Sequence, residues 1–349
     1  MIHTMIMAGG KGTRFWPFSR LKTPKQFLTV LGDKPLIDYT LDRVTTFCDL
    51  DNCWLLANHE QSEYLDTIRS IKQENILREP FGKNTAACII WGAFEALKRD
   101  PDAILVNVSA DAWINDDAAF SDSIKKAIAE VEANNSVVTI GIPARSAHTG
   151  YGYIQVNKEQ MQADIQSVLS FTEKPDEATA NAYIKAGNYF WNAGIFVWRA
   201  STLLQLAKEH LPTHYDLLKS MSDAELSNAD DLSLYYGQLE NISIDYGILE
   251  KIEGAIKLVP ARFDWDDIGS WASLEQYLEK DAFQNAIRGS VISIDSNRNI
   301  IFSNKDKLIA LSHINDCIIV DSDDALLIVP KAQDQHIKAI YDKLPEQYK

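Results

Sequence analysis

Residues 1–20 read MIHTMIMAGGKGTRFWPFSR: an apolar strand, HTMIMA at 3–8, runs into Gly9, Gly10 and Gly12, then into Lys11, Arg14 and Arg20. A strand that ends in a glycine turn lets the backbone approach an anion closely, with successive amides turned into one concavity. Residues 1–32 contain no Asp or Glu, while Lys11, Arg14, Arg20, Lys22 and Lys25 crowd into positions 11–25. The whole chain of 349 residues has 34 basic against 49 acidic side chains, a net charge of −15. That balance argues against a general nucleic-acid or membrane-surface binder. The basic cluster is local, and its place after a strand and a glycine turn favours an anion site over a solvated basic face.

Two better-known glycine loops do not fit. No G-x-x-x-x-G-K-[ST] spacing occurs, and Gly10 and Gly12 begin a G-x-G-x-x-G whose last position is Phe15. What remains is a loop in which Arg14 can fork onto a polyphosphate and Lys25, in LKTPKQF, can act as a point charge.

Outward from the loop, strand-length apolar runs alternate with helical stretches. HTMIMA, CWLLAN, AILVNV and SVVTIGI read as buried strands. PLIDYTLDRVTTF, EYLDTIRSIK, NTAACIIWGAFEALK and AFSDSIKKAIAEVEA read as helices. This alternation predicts an α/β fold: a Rossmann-like, mainly parallel sheet with helices on both faces and ligands beyond the carboxyl ends of the strands. From about residue 151 the pattern is mixed, with strands in YGYIQV, SVLSFTEKP and YFWNAGIFVW and helices after 176, 200 and 244. From 286 short strands (VISID, NIIFSN, LIALS, CIIVDSD, ALLIVP) precede a helical HIKAIYDKL. The expected organisation is a catalytic domain over 1–285 and a small β-rich C-terminal domain over 286–349, with no long repeat.

The four cysteines, Cys48, Cys53, Cys88 and Cys317, form no C-x-x-C pair, and the seven histidines form no cluster. With no signal-peptide pattern and no apolar run of membrane-spanning length, a reduced, cytoplasmic enzyme is expected.

Read together, AGGKGTRFWPFSR, PKQF, FGKNTA, SADAWI, TGYGYI, FTEKPD, WNAGIF, IDYGILEK and WDDIGSW occur in that order over residues 8–271. In this the chain resembles the sugar-1-phosphate nucleotidyltransferases, and within them the mannose-1-phosphate guanylyltransferases. The resemblance implies a fold of the nucleotide-diphospho-sugar transferase type. It also implies a reaction in which GTP and mannose 1-phosphate give GDP-mannose and pyrophosphate. It carries the catalytic Mg²⁺ onto Asp111 and Asp267, a pair that suits an ion held by one or two carboxylates plus substrate phosphates. Read as local structure instead, Asp111 forms a turn and Asp266 or Asp267 caps a helix in GSWASLEQYLE.

The same resemblance sets the nucleotide against Gly9, Gly10, Gly12, Thr13, Arg14, Lys25, Asn84 and Thr85. The alternative for Asn84 is a helix N-cap, which is compatible with contact to the base. Gly152, Glu173 and Asn192 match the sugar-binding positions, and Lys174 that of the sugar's phosphate. Arg14, Lys25, Asp111, Lys174 and Asp267 form the implied catalytic set. Two departures stand out: Ala112 replaces a usual His, and Lys83 and Ala87 stand where Arg and Pro are common. A sugar phosphate is mostly dianionic at neutral pH, with a second pKa of about 6, so it needs no general base to attack the α-phosphorus. Alternatives are the same chemistry on another sugar such as a manno-heptose 1-phosphate, or a non-catalytic regulatory subunit that binds the nucleotide sugar. Relatives that continue into a cupin-type isomerase domain have no counterpart here after Lys349, so a single activity is expected. Edge strands in the C-terminal segment make a homodimer an expectation.

Overall fold

The computed structural model describes residues 1–349 except 227, 253 and 305. The chain forms two compact units that interleave along the sequence. The first takes Met1–Gly9, Thr40–Ala110 and Ile114–Trp265; the second takes Gly10–Tyr39, Asp111–Trp113 and Asp266–Lys349. The opening loop therefore shares a unit with the C-terminal strands, whereas the sequence groups it with residues 1–285.

The first unit is built on nine strands: β1 (Ile2–Met7), β2 (Cys53–Asn58), β3 (Ile76–Glu79), β4 (Ile104–Ser109), β5 (Val137–Pro143), β6 (Tyr153–Val156), β7 (Gln166–Thr172), β8 (Tyr189–Arg199) and β9 (Ile256–Pro260). Their spatial order is β3-β2-β1-β4-β8-β5-β9-β7-β6. The first four strands are parallel, as is the β5–β9 pair. β8 runs antiparallel to β4 and β5, and β6 and β7 are antiparallel to their neighbours. The expected parallel sheet thus holds through β4 and becomes mixed beyond it. After residue 151 the chain lacks the regular helical crossovers that parallel pairing needs.

Helix Asn84–Arg99 buries Ala86, Ile89, Ile90, Ala93 and Ala96 in a cluster with Met5, Leu56, Leu105 and Trp198. Helix Asp117–Asn134 is capped by the Asp116 carboxylate, which accepts from the Ala119 amide at 2.9 Å, and packs on β5, β8 and β9. EYLDTIRSIK is helical only over Ser62–Leu65, and a turn follows. No helix among the described residues is long and apolar enough to cross a membrane.

Parallel pairing aligns the carboxyl ends of β1 to β4 on one edge. Met7 lies beside Leu56 and Ser109, and Asn58 beside Glu79.

In the second unit β10 (Ala286–Arg288), β12 (Ile300–Ser303), β14 (Cys317–Asp321) and β15 (Leu326–Pro330) form one sheet in that order. β11 (Val291–Ile294) and β13 (Ile309–Ser312) form a second. Successive turns of chain stack in parallel eighteen residues apart, Ile300 on Ile318 and Val291 on Ile309. Left-handed backbone recurs at the same offset, at Asp295 and His313 and again at Arg298 and Asp316. This is a coil with a repeat, which the sequence reading does not find.

Inside the coil, Asn299 donates to Asn285 Oδ1 (3.0 Å) and to the Ile314 carbonyl (2.8 Å), and accepts from the Cys317 amide (3.0 Å). Ile300, Phe302, Ile318, Val320, Leu327 and Val329 fill its interior together with Phe15, Trp16, Ile268 and Trp271. The aromatic residues of FWPF are therefore anchors. Trp271 Nε1 donates to the Trp16 carbonyl and Trp16 Nε1 to the Tyr348 carbonyl, both at 3.0 Å.

Candidate active site

The second unit contains an open cleft of about 470 Å³ lined by Gly12, Thr13, Arg14, Phe15, Lys25, Asp111, Asp267, Gly269 and Lys338. Gly12 sits at φ 60°, and a Cβ there would come within 2.6 Å of the Lys25 Cβ. Only glycine lets the loop lie this close to Lys25. Lys25 is 5% exposed. Its Nζ is 2.6 Å from Asp111 Oδ2 and donates to the carbonyls of Asp267 (2.6 Å) and Ile268 (2.9 Å). Ile268 is at φ 45°, an uncommon conformation for a β-branched residue. That turn brings both carbonyls to the ammonium.

Asp266 and Asp267 divide the two readings made of them. Asp266 accepts from the Ile268 amide (2.7 Å), from Gln276 Nε2 (2.6 Å) and from the Tyr277 hydroxyl (3.1 Å). It is a brace for the turn. Ser270, not an aspartate, caps the short 3₁₀ segment Trp271–Gln276. Asp267 lines the cleft with Asp111. No set of three or more His, Cys, Asp or Glu side chains among the described residues could hold a metal. Two carboxylates beside an open cleft do suit a hard cation that keeps waters and takes substrate oxygens. Ala112 is buried.

In the first unit, two groups of polar residues stand out. At the carboxyl edge of β3, Glu79 is 3% exposed, and its Oε1 has no hydrogen-bond partner. Its Oε2 is 3.1 Å from the position a Cβ on Gly9 would take. Burial pushes the Glu79 carboxyl up to about 8, partly offset by the Tyr236 hydroxyl. The sequence reading omits Glu79; a carboxylate at a strand's end, two residues before FGKNTA, is the signal that points to it. Asn84 is exposed at φ 64°, and its side-chain Oδ1 accepts from the neighbouring Thr85 amide (2.9 Å). It is not an N-cap. The Thr85 hydroxyl accepts from the Ile244 amide at 2.9 Å, tying the helix start to IDYGILEK.

The second group brings together Gly152, Glu173, Lys174 and Asn192. A Cβ on Gly152 would collide with Glu173 Oε2 and lie 3.3 Å from the Asn192 Cβ. Glu173 Oε2 is buried without a partner, while Oε1 is 2.9 Å from Lys174 Nζ. Asn192 is held at both ends: Nδ2 donates to Asp245 (2.9 Å), and Oδ1 accepts from the Gly194 amide (3.0 Å). Burial and then the Glu173 charge push the Asp245 carboxyl up to about 6. Asp245 is a further residue absent from the sequence reading. An acid inside an apolar IDYGI run gives only a faint signal.

A glycine turn with two acids, and a cluster of polar side chains around Gly152, suit a nucleotidyl-transferring enzyme, and the chain belongs to the nucleotidyl transferase family, which it matches over residues 3–284. Residues 289–344 match a MannoseP isomerase/GMP-like beta-helix domain, in accord with the stacked coil. The alginate biosynthesis protein AlgA of Pseudomonas aeruginosa is 35% identical, over 98% of this chain and 72% of that protein. The mannose-1-phosphate guanylyltransferase RfbM of Salmonella typhimurium is 35% identical, over 97% of this chain and 72% of that protein. Among solved structures, one described as a mannose-1-phosphate geranyltransferase, from Thermus thermophilus, superposes with a TM-score of 0.86 at 29% identity, covering 98% of both chains.

Proposed function

We propose that the chain transfers GMP from GTP to mannose 1-phosphate, giving GDP-mannose and pyrophosphate. The observation that carries this reading is the 35% identity, over nearly the whole chain, to a named mannose-1-phosphate guanylyltransferase. Two features of the first unit support it.

Guanine presents N1–H and an amino group side by side, and a carboxylate accepts from both. Glu79 is a buried carboxyl group with an unpartnered oxygen next to Gly9, and it is assigned to that edge. Adenine presents an acceptor at N1, which leaves an ionised Glu79 unpaired and repelled. Around Gly152 the unpartnered Glu173 Oε2 and the fixed Asn192 amide offer an acceptor and a donor to sugar hydroxyls. Lys174 is assigned to the sugar's phosphate, and Arg14 with the Gly10–Thr13 backbone to the nucleotide phosphates.

Asp111 and Asp267 would hold Mg²⁺, which offsets phosphate charge when bound. The reaction then reduces to alignment: a sugar-phosphate oxygen attacks the α-phosphorus, and the bond to the β-phosphate oxygen breaks with its electron pair. Holding attacker and leaving group in line supplies much of the acceleration.

The test is pyrophosphate release across four nucleotides and several sugar 1-phosphates, including mannose, glucose and manno-heptose. GTP with mannose 1-phosphate is expected to give the highest kcat/KM. Equal rates with ATP would remove the guanylyl assignment. Binding of GDP-mannose with no pyrophosphate released from any pair would leave a regulatory subunit instead.

A further inference from the structure

The cleft contains more positive charge than the opening loop supplies. Lys25, the obvious phosphate ligand, is already engaged. An ammonium has three N–H donors, and Lys25 Nζ faces three acceptors: Asp111 Oδ2 and the carbonyls of Asp267 and Ile268. Taking a phosphate oxygen would require it to let go of one of these while almost fully buried. Arg14 and Lys338 differ. Both line the cleft, both are exposed, and neither forms an ion pair among the described residues.

Lys338 comes from the far end of the sequence. Its short helix, Ile337–Tyr341, buries Ile337 and Tyr341 in the cluster that contains Phe15 and Trp16, and it packs on the Thr13–Phe15 turn. The backbone beneath Lys338 is thereby fixed to the loop it faces, while its flexible stem leaves the charge free to follow a ligand.

We propose that Lys338 is a further cation, beside Arg14, on the nucleotide's terminal phosphates and on the pyrophosphate they become. As the bond from the α-phosphorus to the bridging oxygen breaks, that oxygen's electron pair leaves with pyrophosphate. Arg14 and Lys338 lie where they can neutralise this charge. The proposal rests on the nucleotidyl-transfer reading for its substrate, but the site itself is defined by polyphosphate chemistry alone.

The experiment uses the full chain with Lys338→Met, Lys338→Gln and Lys338→Arg, after thermal melts establish that each is folded. Two readouts are taken. One is calorimetric binding of inorganic pyrophosphate with Mg²⁺; the other is steady-state kinetics in both directions. Lys338→Met and Lys338→Gln should weaken pyrophosphate binding and raise the KM for pyrophosphate and GTP at least ~10-fold, a difference of about 1.4 kcal/mol. The KM for the sugar phosphate should stay within about twofold, and Lys338→Arg should recover most of the loss. Unchanged pyrophosphate affinity in folded Lys338→Met overturns the proposal, as does an equal rise in both KM values. If the wild type binds pyrophosphate through Lys338 but shows no turnover with any nucleotide, the site stands and the nucleotidyl-transfer reading falls.

Discussion

Asp111 and Asp267 come from distant points of the chain to one cleft, beside the turn that Asp266 braces. Asp111→Asn or Asp267→Asn is expected to lower kcat at least ~10²-fold, about 2.7 kcal/mol of barrier, with melting temperature little changed. Near-wild-type turnover at saturating Mg²⁺ would remove that residue from the metal role. Glu79 gives a pH signature. With its carboxyl pushed up to about 8, the free protein carries it mostly protonated at neutral pH. Guanine's donors favour the ionised form and adenine's N1 the protonated one, so the kcat/KM ratio of GTP over ATP should rise from about pH 6.5 to about pH 8.5. Titrations shared by the two nucleotides cancel in that ratio. Glu79→Gln should flatten the rise, and an unchanged slope in that variant would exclude Glu79 as the reader. At Gly152 there is no room for a methyl group beside Glu173, so Gly152→Ala should raise the KM for the sugar phosphate at least ~10-fold, about 1.4 kcal/mol, and leave that for GTP nearly unchanged. Most of these residues were legible from motif order. Glu79 and Asp245 were not, because in sequence each looks like any other strand-end or helix-start carboxylate.

Among the elements, buried strands were the easiest to read: CWLLAN and AILVNV carry unbroken apolar runs and became β2 and β4 nearly to the residue. EYLDTIRSIK has helical spacing but lies in a short link between β2 and β3, and only its first turn is helical. The eighteen-residue coil escaped notice because its two turns share a pattern of apolar positions rather than identities. Val291 stacks on Ile309 and Phe302 on Val320. Its corners are Asp295, Arg298, His313 and Asp316 in left-handed backbone, where glycine is the usual signal. The coil's weak point follows from its wiring. Asn299 is fully buried and joins three successive turns of chain. Asn299→Ala leaves the Cys317 amide and the Ile314 carbonyl without their partner, which should cost about 2–4 kcal/mol. Chemical denaturation followed by tryptophan fluorescence would measure it, and a loss below ~0.5 kcal/mol would mean that water replaces the side chain.

At the level of the whole molecule, the two family matches divide the chain near residue 285, as the sequence pattern does, while packing divides it elsewhere. Composition changes near residue 285, yet the second unit draws in Gly10–Tyr39 and Asp111–Trp113. Phe15, Trp16 and Trp271 share one core with Ile300, Phe302, Ile318 and Val320. A fragment cut after 285 should therefore lose the form of the opening loop as well as a C-terminal appendage. Purified 1–285 is expected to be insoluble or to release no pyrophosphate; a soluble fragment with wild-type kcat would show that the loop holds its shape alone. The clasp between Trp16 and Tyr348, with the Leu21 amide donating to the Lys349 carbonyl at 2.9 Å, also has a temporal consequence. The loop leaves the ribosome well before its partners, since Trp16 and Tyr348 lie 332 residues apart in sequence. At synthesis rates of about 5–20 residues per second, roughly tens of seconds separate the two. During that interval the nascent chain carries a basic glycine loop without the contacts that shape it, so the cleft lined by Arg14 and Lys338 is complete only after translation of the closing helix.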